Sequence, residues 1–411
     1  MSEIEQFDVV IVGAGLVGAS IAVALAQHSS LKLAVVDAGN LVPKSLQGQS
    51  GFEPRVSALT LASQAWLQRL QTWQQLGPED YCDYRAMSVW EEDGTGAVSF
   101  HANDVAAPSL GCIVENIRVQ QVLAEQLQQL PIQILSHAKV IKLDAPNNGR
   151  RTLTLDDGYQ LSGELIVAAD GAQSTVRQLA GMDTRAWDYG HQAIVTTVET
   201  ALPHQQTAWQ KFTNTGPIAF LPLNSPHQPE QFCSLVWSVE RNKAKQLMAL
   251  DDPAFTHQLE RAFESRLGAI KAVDQRYSFE LQQSHAKKYW QDNLVLVGDA
   301  AHRIHPLAGQ GANLGFLDAA ALTETVLAAQ GRPLGQPYDL RKYQRSREAH
   351  NLSMTMGMEV FKRLFEADHP AARLIRNYGM KWFDANTLVK SQVAKLAMGI
   401  SGPVPDMAKP Q

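Results

Sequence analysis

Residues 294–318 combine a carboxylate, two histidines and a row of glycines in a spacing that suits binding of a large ligand. The apolar run 294–297 predicts a short buried strand, which presents Asp299 at its carboxyl edge. Beyond Asp299 the stretch contains His305, Pro306, Gly309, Gly311, Ala312, Asn313 and Gly315. An Ala/Leu-rich run then predicts a helix over 317–329. Backbone N–H groups at such a helix start can approach an electron-rich ligand closely.

A second chemical pattern lies near the N-terminus. Residues 7–12 predict a buried strand, Gly13-x-Gly15-x-x-Gly18 opens a helix, and residues 31–36 predict a second strand that ends in Asp37. In such a βαβ unit the first glycine forms the turn, the second admits a pyrophosphate, and the third lets helix and strand pack. Asp37 would accept a hydrogen bond from a ribose hydroxyl. The alternative is a βαβ unit that binds no nucleotide.

The glycine fingerprint does not distinguish NAD from FAD, because both present an ADP half to the same turn. The distance between the two patterns along the chain favours FAD. Asp299 must fold back beside Gly15, as expected when one long cofactor spans both ends of a domain. The chain holds no second complete G-x-G-x-x-G, so a reducing nicotinamide would bind transiently.

The string G-D-A-A-H-R-I-H-P-L-A-G-Q-G-A-N-L-G, from Gly298 to Gly315, resembles the FAD motif of the flavoprotein aromatic hydroxylases, and within them of the ubiquinone-biosynthesis hydroxylases. The resemblance implies that Asp299 binds the ribityl chain of FAD. It also implies that backbone groups of 311–313 face the pyrimidine end of the flavin and that Pro306 lies against the ring. His305 either faces the substrate or packs within the protein.

Three other stretches share this resemblance. R-V-S-A-L contains Arg55, expected near the flavin, with a surface salt bridge as the alternative. The stretch 111–123 carries Arg118, which matches an arginine of the flavin domain. A-D-G-A-Q-S-T-V-R runs from Ala169 to Arg177, and the resemblance implies that Asp170 and Arg177 contact the cofactor or a nicotinamide nucleotide. Without the resemblance, Asp170-Gly171 is an ordinary loop.

Composition bounds the remaining possibilities. At 411 residues, with 45% hydrophobic and 19% charged residues, the chain is long enough for two or three packed layers. A net charge of −5 argues against nucleic acid as a partner. The three cysteines lack metal-ligand spacing, so we expect no metal site and a reducing, cytoplasmic compartment.

The predicted fold class is α/β, and the resemblance implies a Rossmann-like FAD-binding domain of the para-hydroxybenzoate-hydroxylase type, an antiparallel substrate sheet and a helical C-terminus. Turn residues and alternation predict hairpins over 87–101 and 151–163, and strands within 182–284. A helix is expected over 59–70. The expected segments are FAD-binding over 1–81, 111–181 and 286–368, substrate sheet over 82–110 and 182–285, and a tail over 369–411.

The resemblance implies an enzyme that reduces FAD with NAD(P)H, adds O2 at the flavin C4a carbon to form a hydroperoxide, and hydroxylates a polyprenylphenol. The blocks V-W-E-E-D-G, F-C-S-L-V-W-S and A-H-R-I-H-P-L-A-G-Q-G resemble those of the C5 hydroxylase, so C5 is the expected ring position. The cofactor carries the difficult step, so the protein needs no catalytic triad or metal. His305 and Pro306 are the candidate catalytic residues. Hydroxylation of another ring position or another phenol, and a non-catalytic FAD-binding redox module, remain alternatives.

A lipid-resident substrate implies a location at the periphery of the inner membrane. Residues 371–411 carry six Lys/Arg against two Asp, and apolar faces run through 374–382 and 389–400. This pattern suits a helix that binds a membrane surface or a ubiquinone-biosynthesis complex, with basic contacts from Arg376, Lys381, Lys390 and Lys395. The alternative is a helix that covers its own FAD domain.

Overall fold

The computed structural model describes residues 4–92, 96–225, 230–303, 310–366, 380 and 382–410. The strands are β1 (Glu5–Val12), β2 (Leu33–Val36), β3 (Val56–Leu59), β4 (Tyr81–Tyr84), β5 (Ala86–Glu91), β6 (Ala97–His101), β7 (Gly111–Glu115), β8 (Ile132–Leu135), β9 (Val140–Leu143), β10 (Arg151–Leu155), β11 (Gln160–Ala168), β12 (Thr184–Thr200), β13 (Thr207–Thr213), β14 (Gly216–Leu223), β15 (Phe232–Glu240), β16 (Ile270–Val273), β17 (Tyr277–Ala286), β18 (Trp290–Gln291), β19 (Leu294–Leu296) and β20 (His302–Arg303). The helices are α1 (Leu16–His28), α2 (Leu61–Arg69), α3 (Asn116–Gln129), α4 (Thr175–Leu179), α5 (Arg241–Met248), α6 (Asp252–Ala262), α7 (Gln310–Leu327), α8 (Pro337–Glu366) and α9 (Thr387–Ala397).

The first sheet has the strand order β18-β19-β11-β1-β2-β8, with β10 and β9 attached to β11. Strands β19, β11, β1, β2 and β8 run parallel to one another in this order. Val12 pairs with both Val36 and Ala168, and Ala168 pairs with Leu296. The carboxyl ends of four strands therefore meet at one edge, where a ligand is expected in an open α/β sheet.

Glycines allow the helices to pack closely at this edge. Helices α1 and α7 contact each other, and a Cβ at Gly315 would stand 2.6 Å from Cγ2 of Val17. A Cβ at Gly18 would stand 1.9 Å from the carbonyl oxygen of Gly13. Gly13 itself has φ +103°, a conformation that side chains disfavour. The predicted roles of the first and third glycines, turn and packing, are confirmed.

The second sheet, which we call the substrate sheet, has the order β20-β17-β12-β15-β14-β13-β5-β6, with β16 paired to β12. Its two faces have different partners because successive side chains alternate. Ile194 and Val198 of β12 pack in a core with Phe255 of α6. Ala193 and Val195 point to the opposite face, where they cluster with the partly buried Val236, Phe279 and the buried Leu281.

The structure corrects several expectations about this sheet. It is not wholly antiparallel, because β13 pairs parallel to β5. Strand β4 lies in the expected segment 82–110, yet it pairs with β7 in a small sheet of order β3-β7-β4. Strand β20 lies in the expected FAD-binding segment 286–368, yet it pairs with β17. The hairpins β5-β6 and β10-β11 are confirmed, although the turn residues Asp93 and Gly94 lie outside the described residues.

The helix expected over 59–70 begins two residues later than predicted. Leu59 is the last residue of β3, because it pairs antiparallel with Cys112 of β7, and α2 begins at Leu61. Thr60 caps α2, because its hydroxyl accepts the N–H of Ser63. Helix α7 begins at Gln310, earlier than the predicted start at residue 317.

Helix α9 packs on its own chain. Its Ala394 and the following Met398 join a buried cluster with Ala102, Val105 and Leu110. The Lys390 ammonium is nearly buried and donates to the carbonyl oxygen of Ser99 and to Asp384, at 3.1 and 3.2 Å. No described helix is long and apolar enough to cross a membrane.

Two glycines of the first loop differ in the space around them, so alanine should affect them differently. Gly18→Ala forces a Cβ against a backbone oxygen, so we expect it to lower the free energy of unfolding of the cofactor-free protein by about 2 kcal/mol. Gly15→Ala is the matched control, because its φ is −68° and no atom in the described part of the chain lies within 4 Å of the position where its Cβ would stand. Urea unfolding followed by circular dichroism measures both. Equal stability of the two variants would contradict the packing role of Gly18.

Candidate functional site

A cavity of ≈ 860 Å³ connects the carboxyl edge of the parallel sheet to the substrate sheet. Gly15, Ala169, Val297 and Asp299 line it from the sheet edge. Ala193, Val195, Val236, Phe279 and Leu281 line it from the substrate sheet. The face of the substrate sheet turned away from α6 is therefore a wall of the cavity. A mostly apolar cavity with a few polar groups is typical of a cofactor and substrate site.

The glycine loop opens toward this cavity at one position. Gly15 lines the cavity, and among the residues that the structure describes nothing lies within 4 Å of the position where its Cβ would stand. Gly15 is also the N-cap of α1, so the positive end of that helix faces the same space. The loop therefore leaves room for an anionic group close to its backbone, as predicted for the second glycine of the fingerprint.

Asp37 lies at the sheet edge but is not a cavity residue. Its carboxylate accepts the N–H of Ala14 at 2.6 Å and the N–H of Gly39 at 2.8 Å. Asp37 thus holds the glycine loop against the end of β2. Its hydrogen bond to a ribose stays a prediction.

Asp299 projects into the cavity from a 3-10 turn over Gly298–Ala300. The left-handed φ of Gly298, +55°, begins the turn directly after β19. Asp299 is accessible to solvent, but that solvent lies in the cavity deep within the molecule. Burial raises the pKa of Asp299, and electrostatic interactions with His302, Arg303 and Arg55 oppose this effect. The site therefore offers a carboxylate acceptor with cations nearby.

Arg55 also lines the cavity, and its position near the flavin stays a prediction. Its guanidinium lies over the ring of Phe279, 5.7 Å from the ring centroid, which is within the range of a cation–π contact. In the part of the chain that the structure describes, Arg55 forms no salt bridge with a side chain. The structure thus favours the cavity position over the surface salt bridge.

The start of α7 supplies another open stretch of backbone. Gly311 and Ala312 line the cavity, and no atom of the described residues lies within 4 Å of the position of a Cβ at Gly311. The Asn313 side chain points elsewhere: its Oδ1 accepts from the Thr60 N–H and its Nδ2 donates to the Ala58 carbonyl oxygen. Asn313 therefore joins α7 to β3 and α2. His305, Pro306 and Gly309 lie outside the described residues.

Arg118 and Arg177 belong to the expected site but make other contacts. Arg118 lies outside the cavity and pairs with Asp80 and Glu115, at 3.4 and 3.3 Å. Burial raises the pKa of Glu115 to about 7, against the opposing charge of Arg118. Arg177 is buried and donates to the Ala300 carbonyl oxygen at 2.7 Å. It supports the Asp299 turn from behind. Its contact with a cofactor or a nicotinamide nucleotide stays a prediction.

Asp170 also lies behind the cavity wall. Its Oδ2 accepts the N–H of Val176 at 3.1 Å, which holds the start of α4. Its Oδ1 is buried and has no hydrogen-bond partner among the described residues. The neighbouring Ala169 and Gly171 line the cavity. An unpaired buried acceptor beside a ligand cavity fits a donor from a bound group, so a cofactor role for Asp170 stays a prediction.

Several cavity residues were not predicted from the sequence. Glu53 and Asn116 contribute polar groups, and Asn116 is held by the Ser57 hydroxyl at 2.6 Å. An apolar arm of the cavity is lined by Tyr84, Met87, Phe100, Leu110, Met354, Val393, Ala397 and Met398. The arm joins residues far apart in the chain, so only the amphipathic pattern of 389–400 could have indicated it.

These features fit FAD. Gly15 and Gly311 present open backbone to the cavity, which suits the pyrophosphate and the flavin ring. Asp299 offers an acceptor for ribityl hydroxyls, and Arg55 lies in the same cavity. The apolar walls of the substrate sheet can cover an aromatic ring and exclude water.

Comparison with known proteins agrees with this geometry. The family described as FAD binding domain matches residues 6–357. The chain is 34% identical to 3-demethoxyubiquinol 3-hydroxylase of Escherichia coli strain K12, over 96% of this chain and 98% of the relative. It is 32% identical to ubiquinone biosynthesis monooxygenase COQ6 of Xenopus tropicalis, over 95% of this chain and 93% of the relative.

Solved structures show the same fold at lower identity. p-Nitrophenol 4-monooxygenase PnpA of Pseudomonas putida DLL-E4 superposes with a TM-score of 0.77 at 19% identity, covering 96% of this chain and 99% of that chain. The family match gives FAD as the cofactor, and the full-length relatives give hydroxylation as the class of reaction. The chain therefore belongs to the FAD-dependent aromatic hydroxylases of ubiquinone biosynthesis.

Proposed function

We propose that this protein hydroxylates the ring of a polyprenylphenol in ubiquinone biosynthesis, at C5, with NAD(P)H and O2 as co-substrates. The observation that carries the proposal is the shared cavity, which runs from Asp299 to the apolar arm beside α9. The E. coli relative is named for hydroxylation at position 3 of demethoxyubiquinol. That ring position is the principal alternative for this chain.

The residues of the chain have distinct tasks in this reaction. Bound FAD supplies the redox chemistry with NAD(P)H and O2. Gly15 and the N-terminus of α1 hold the pyrophosphate, and Asp299 accepts hydrogen bonds from the ribityl chain. Ala193, Val195 and Leu281 form the apolar wall that keeps water from the reacting ring. Pro306 and His305 stay candidates for contact with flavin and substrate.

The apolar arm is the proposed place of the polyprenyl chain. Met87 and Phe100 form one side of it, and Val393 and Met398 form the side contributed by α9 and the residue that follows it. Burial of an isoprenoid against these side chains stabilises the complex by about 25 cal/mol per Å² of apolar surface removed from water. Val393 and Ala397 are exposed as well as cavity-lining.

We further propose that the protein is cytoplasmic and peripheral to the inner membrane, with the exposed side of α9 toward the lipid. Leu388, Val393 and Leu396 are 79%, 43% and 46% exposed on this helix. The expected basic contact from Lys390 is wrong, because its ammonium is nearly buried and pairs with Asp384 and Asp104. Lys395 is exposed, whereas Arg376 and Lys381 lie outside the described residues.

Two substitutions test the cofactor site. Asp299→Ala removes the ribityl acceptor and Gly15→Val places bulk in the open side of the loop, so we expect each to weaken FAD binding by about tenfold to a hundredfold. Both variants should purify without their full complement of flavin, measured by absorbance. Asp157→Ala, at the exposed β10-β11 turn, is the control and should keep FAD. Stoichiometric flavin in both site variants would contradict the assignment.

A deletion strain tests the ring position. Loss of a C5 hydroxylase should cause accumulation of a prenylphenol that lacks the C5 oxygen, identified by mass spectrometry of quinone extracts. Complementation with the wild-type gene, but not with the Asp299→Ala gene, should restore ubiquinone. Accumulation of demethoxyubiquinol would assign position 3 instead, and normal ubiquinone with no intermediate would contradict a role in this pathway.

The membrane proposal is tested with the exposed residues of α9. Leu388→Gln combined with Leu396→Gln removes apolar surface without touching the cavity, so we expect at least a fivefold loss of co-flotation with phospholipid vesicles. Tyr338→Gln, at a 77% exposed position at the start of α8, is the matched control. Unchanged flotation of a folded, flavin-loaded double variant would contradict lipid contact through α9. Loss of binding to the other proteins of the pathway, with flotation intact, would show a protein partner on this surface.

A further inference from the structure

A buried cluster of charges lies directly behind the turn that carries Asp299. It comprises Asp318 of α7, Arg347 of α8 and His302 of β20, each at most 3% exposed, and none of them lines the cavity. We propose that Asp318 is a positioning residue for FAD binding, which acts by fixing the backbone turn that aims Asp299 into the cavity. The inference rests on FAD as the cofactor and does not depend on which ring position is hydroxylated.

The Asp318 carboxylate binds the chain on both sides of Asp299. One oxygen, Oδ2, accepts the backbone N–H of Gly298 at 3.1 Å and also contacts Nε2 of His302. An ionised carboxylate only accepts, so Nε2 of His302 donates in this pair. Gly298 stands immediately before Asp299, and His302 stands three residues after it. One oxygen atom therefore contacts the chain both before and after Asp299.

The other oxygen fixes the carboxylate itself. Oδ1 of Asp318 accepts from Nε of Arg347 at 2.8 Å, and both side chains are essentially inaccessible to solvent. Burial alone raises the pKa of Asp318, but the charges and hydrogen bonds of His302 and Arg347 hold it well below its ordinary value. The carboxylate is thus ionised at neutral pH, and charge-assisted hydrogen bonds of this kind have defined geometry.

The middle of the turn is held from a third direction. Arg177 of α4 donates to the Ala300 carbonyl oxygen at 2.7 Å, and the Ala301 N–H donates to the Gly298 carbonyl oxygen at 2.9 Å. The backbone of the turn is therefore tied to α4 and α7, and through Arg347 to α8. The Asp299 side chain is left free to face the cavity. A ligand group bound by a fixed carboxylate loses less freedom on binding than one bound by a mobile loop.

A double-mutant cycle separates positioning from general support of the fold. Asp318→Asn keeps the size of the side chain and removes its charge, and Asp299→Ala removes the group that the turn presents. The measurement is the FAD dissociation constant of each apoprotein, by quenching of flavin fluorescence, together with its urea midpoint. We expect Asp318→Asn to weaken FAD binding at least tenfold in the wild-type background and less than threefold in the Asp299→Ala background.

Equal weakening in both backgrounds would overturn the proposal, because it would show an effect that does not pass through Asp299. Unchanged affinity in the wild-type background would overturn it as well. Lys211→Met is the matched control. Lys211 of β13 in the substrate sheet is 2% exposed and pairs with Glu264, so its substitution should change stability without changing FAD affinity.

His302 provides a second variant in case Asp318→Asn does not fold. His302→Ala removes one contact with Oδ2 and leaves the Asp318–Arg347 pair intact. We expect it to weaken FAD binding at least fivefold, again only when Asp299 is present, and His302→Gln to recover part of the affinity by returning an N–H donor. Additive effects of His302→Ala and Asp299→Ala would contradict the proposal.

Discussion

The register of four parallel strands is the constraint on which the site depends. Val12 stands beside Val36 and Ala168, and Ala168 stands beside Leu296, so β1, β2, β11 and β19 end at one level. Because parallel strands share their direction, the segments that follow them emerge at the same edge. The glycine loop after β1 and the Asp299 turn after β19 are thereby neighbours, although 286 positions separate Gly13 from Asp299 (299 − 13 = 286). A shift of one residue in β19 would turn its side chains to the opposite face and move the turn.

At that edge the backbone is open toward the cavity, and the side chains behind it form hydrogen bonds to the loops. Gly15 and Gly311 have no neighbour among the described residues where a Cβ would stand, whereas Gly13, Gly18 and Gly315 are places where backbone and helix meet with no room for a Cβ. Behind them, Asp37, Asp318 and Arg177 each hold a backbone group of a loop. These three charged groups therefore shape the loops and do not line the cavity.

Much of this arrangement follows from local sequence, and the rest does not. Glycine spacing predicts the turn and the packing at Gly13 and Gly18, because those requirements involve neighbours in the chain. Alternation predicts the two hairpins for the same reason. Leu59 was predicted as the start of a helix because its pairing with β7, more than fifty positions away, is invisible to local pattern. Arg118 and Arg177 match motif positions, but their partners are decided by tertiary packing.

The contacts of the C-terminal tail also could not be predicted from local sequence. An amphipathic pattern over 389–400 is equally compatible with a membrane, a partner and the helix's own core. The structure shows both a packed side, at Ala394 and Met398, and an exposed side, at Leu388 and Leu396. Lys390 belongs to the packed side because Ser99, Asp104 and Asp384 surround its ammonium. Charge counting along the chain cannot distinguish a paired lysine from a free one.

The central claim is that one cavity serves the flavin at one end and the prenyl chain at the other. Ala397→Trp would fill the apolar arm from α9 while leaving the sheet edge untouched, and Lys395→Trp, on the same helix but outside the cavity, is its control. The measurement is NAD(P)H-dependent hydroxylation of prenylphenols with short and long side chains by flavin-loaded protein. The account predicts that Ala397→Trp raises KM at least tenfold for the long-chain substrate and less than twofold for the short-chain one. An Ala397→Trp variant whose KM equals that of the wild type for both substrates would contradict it.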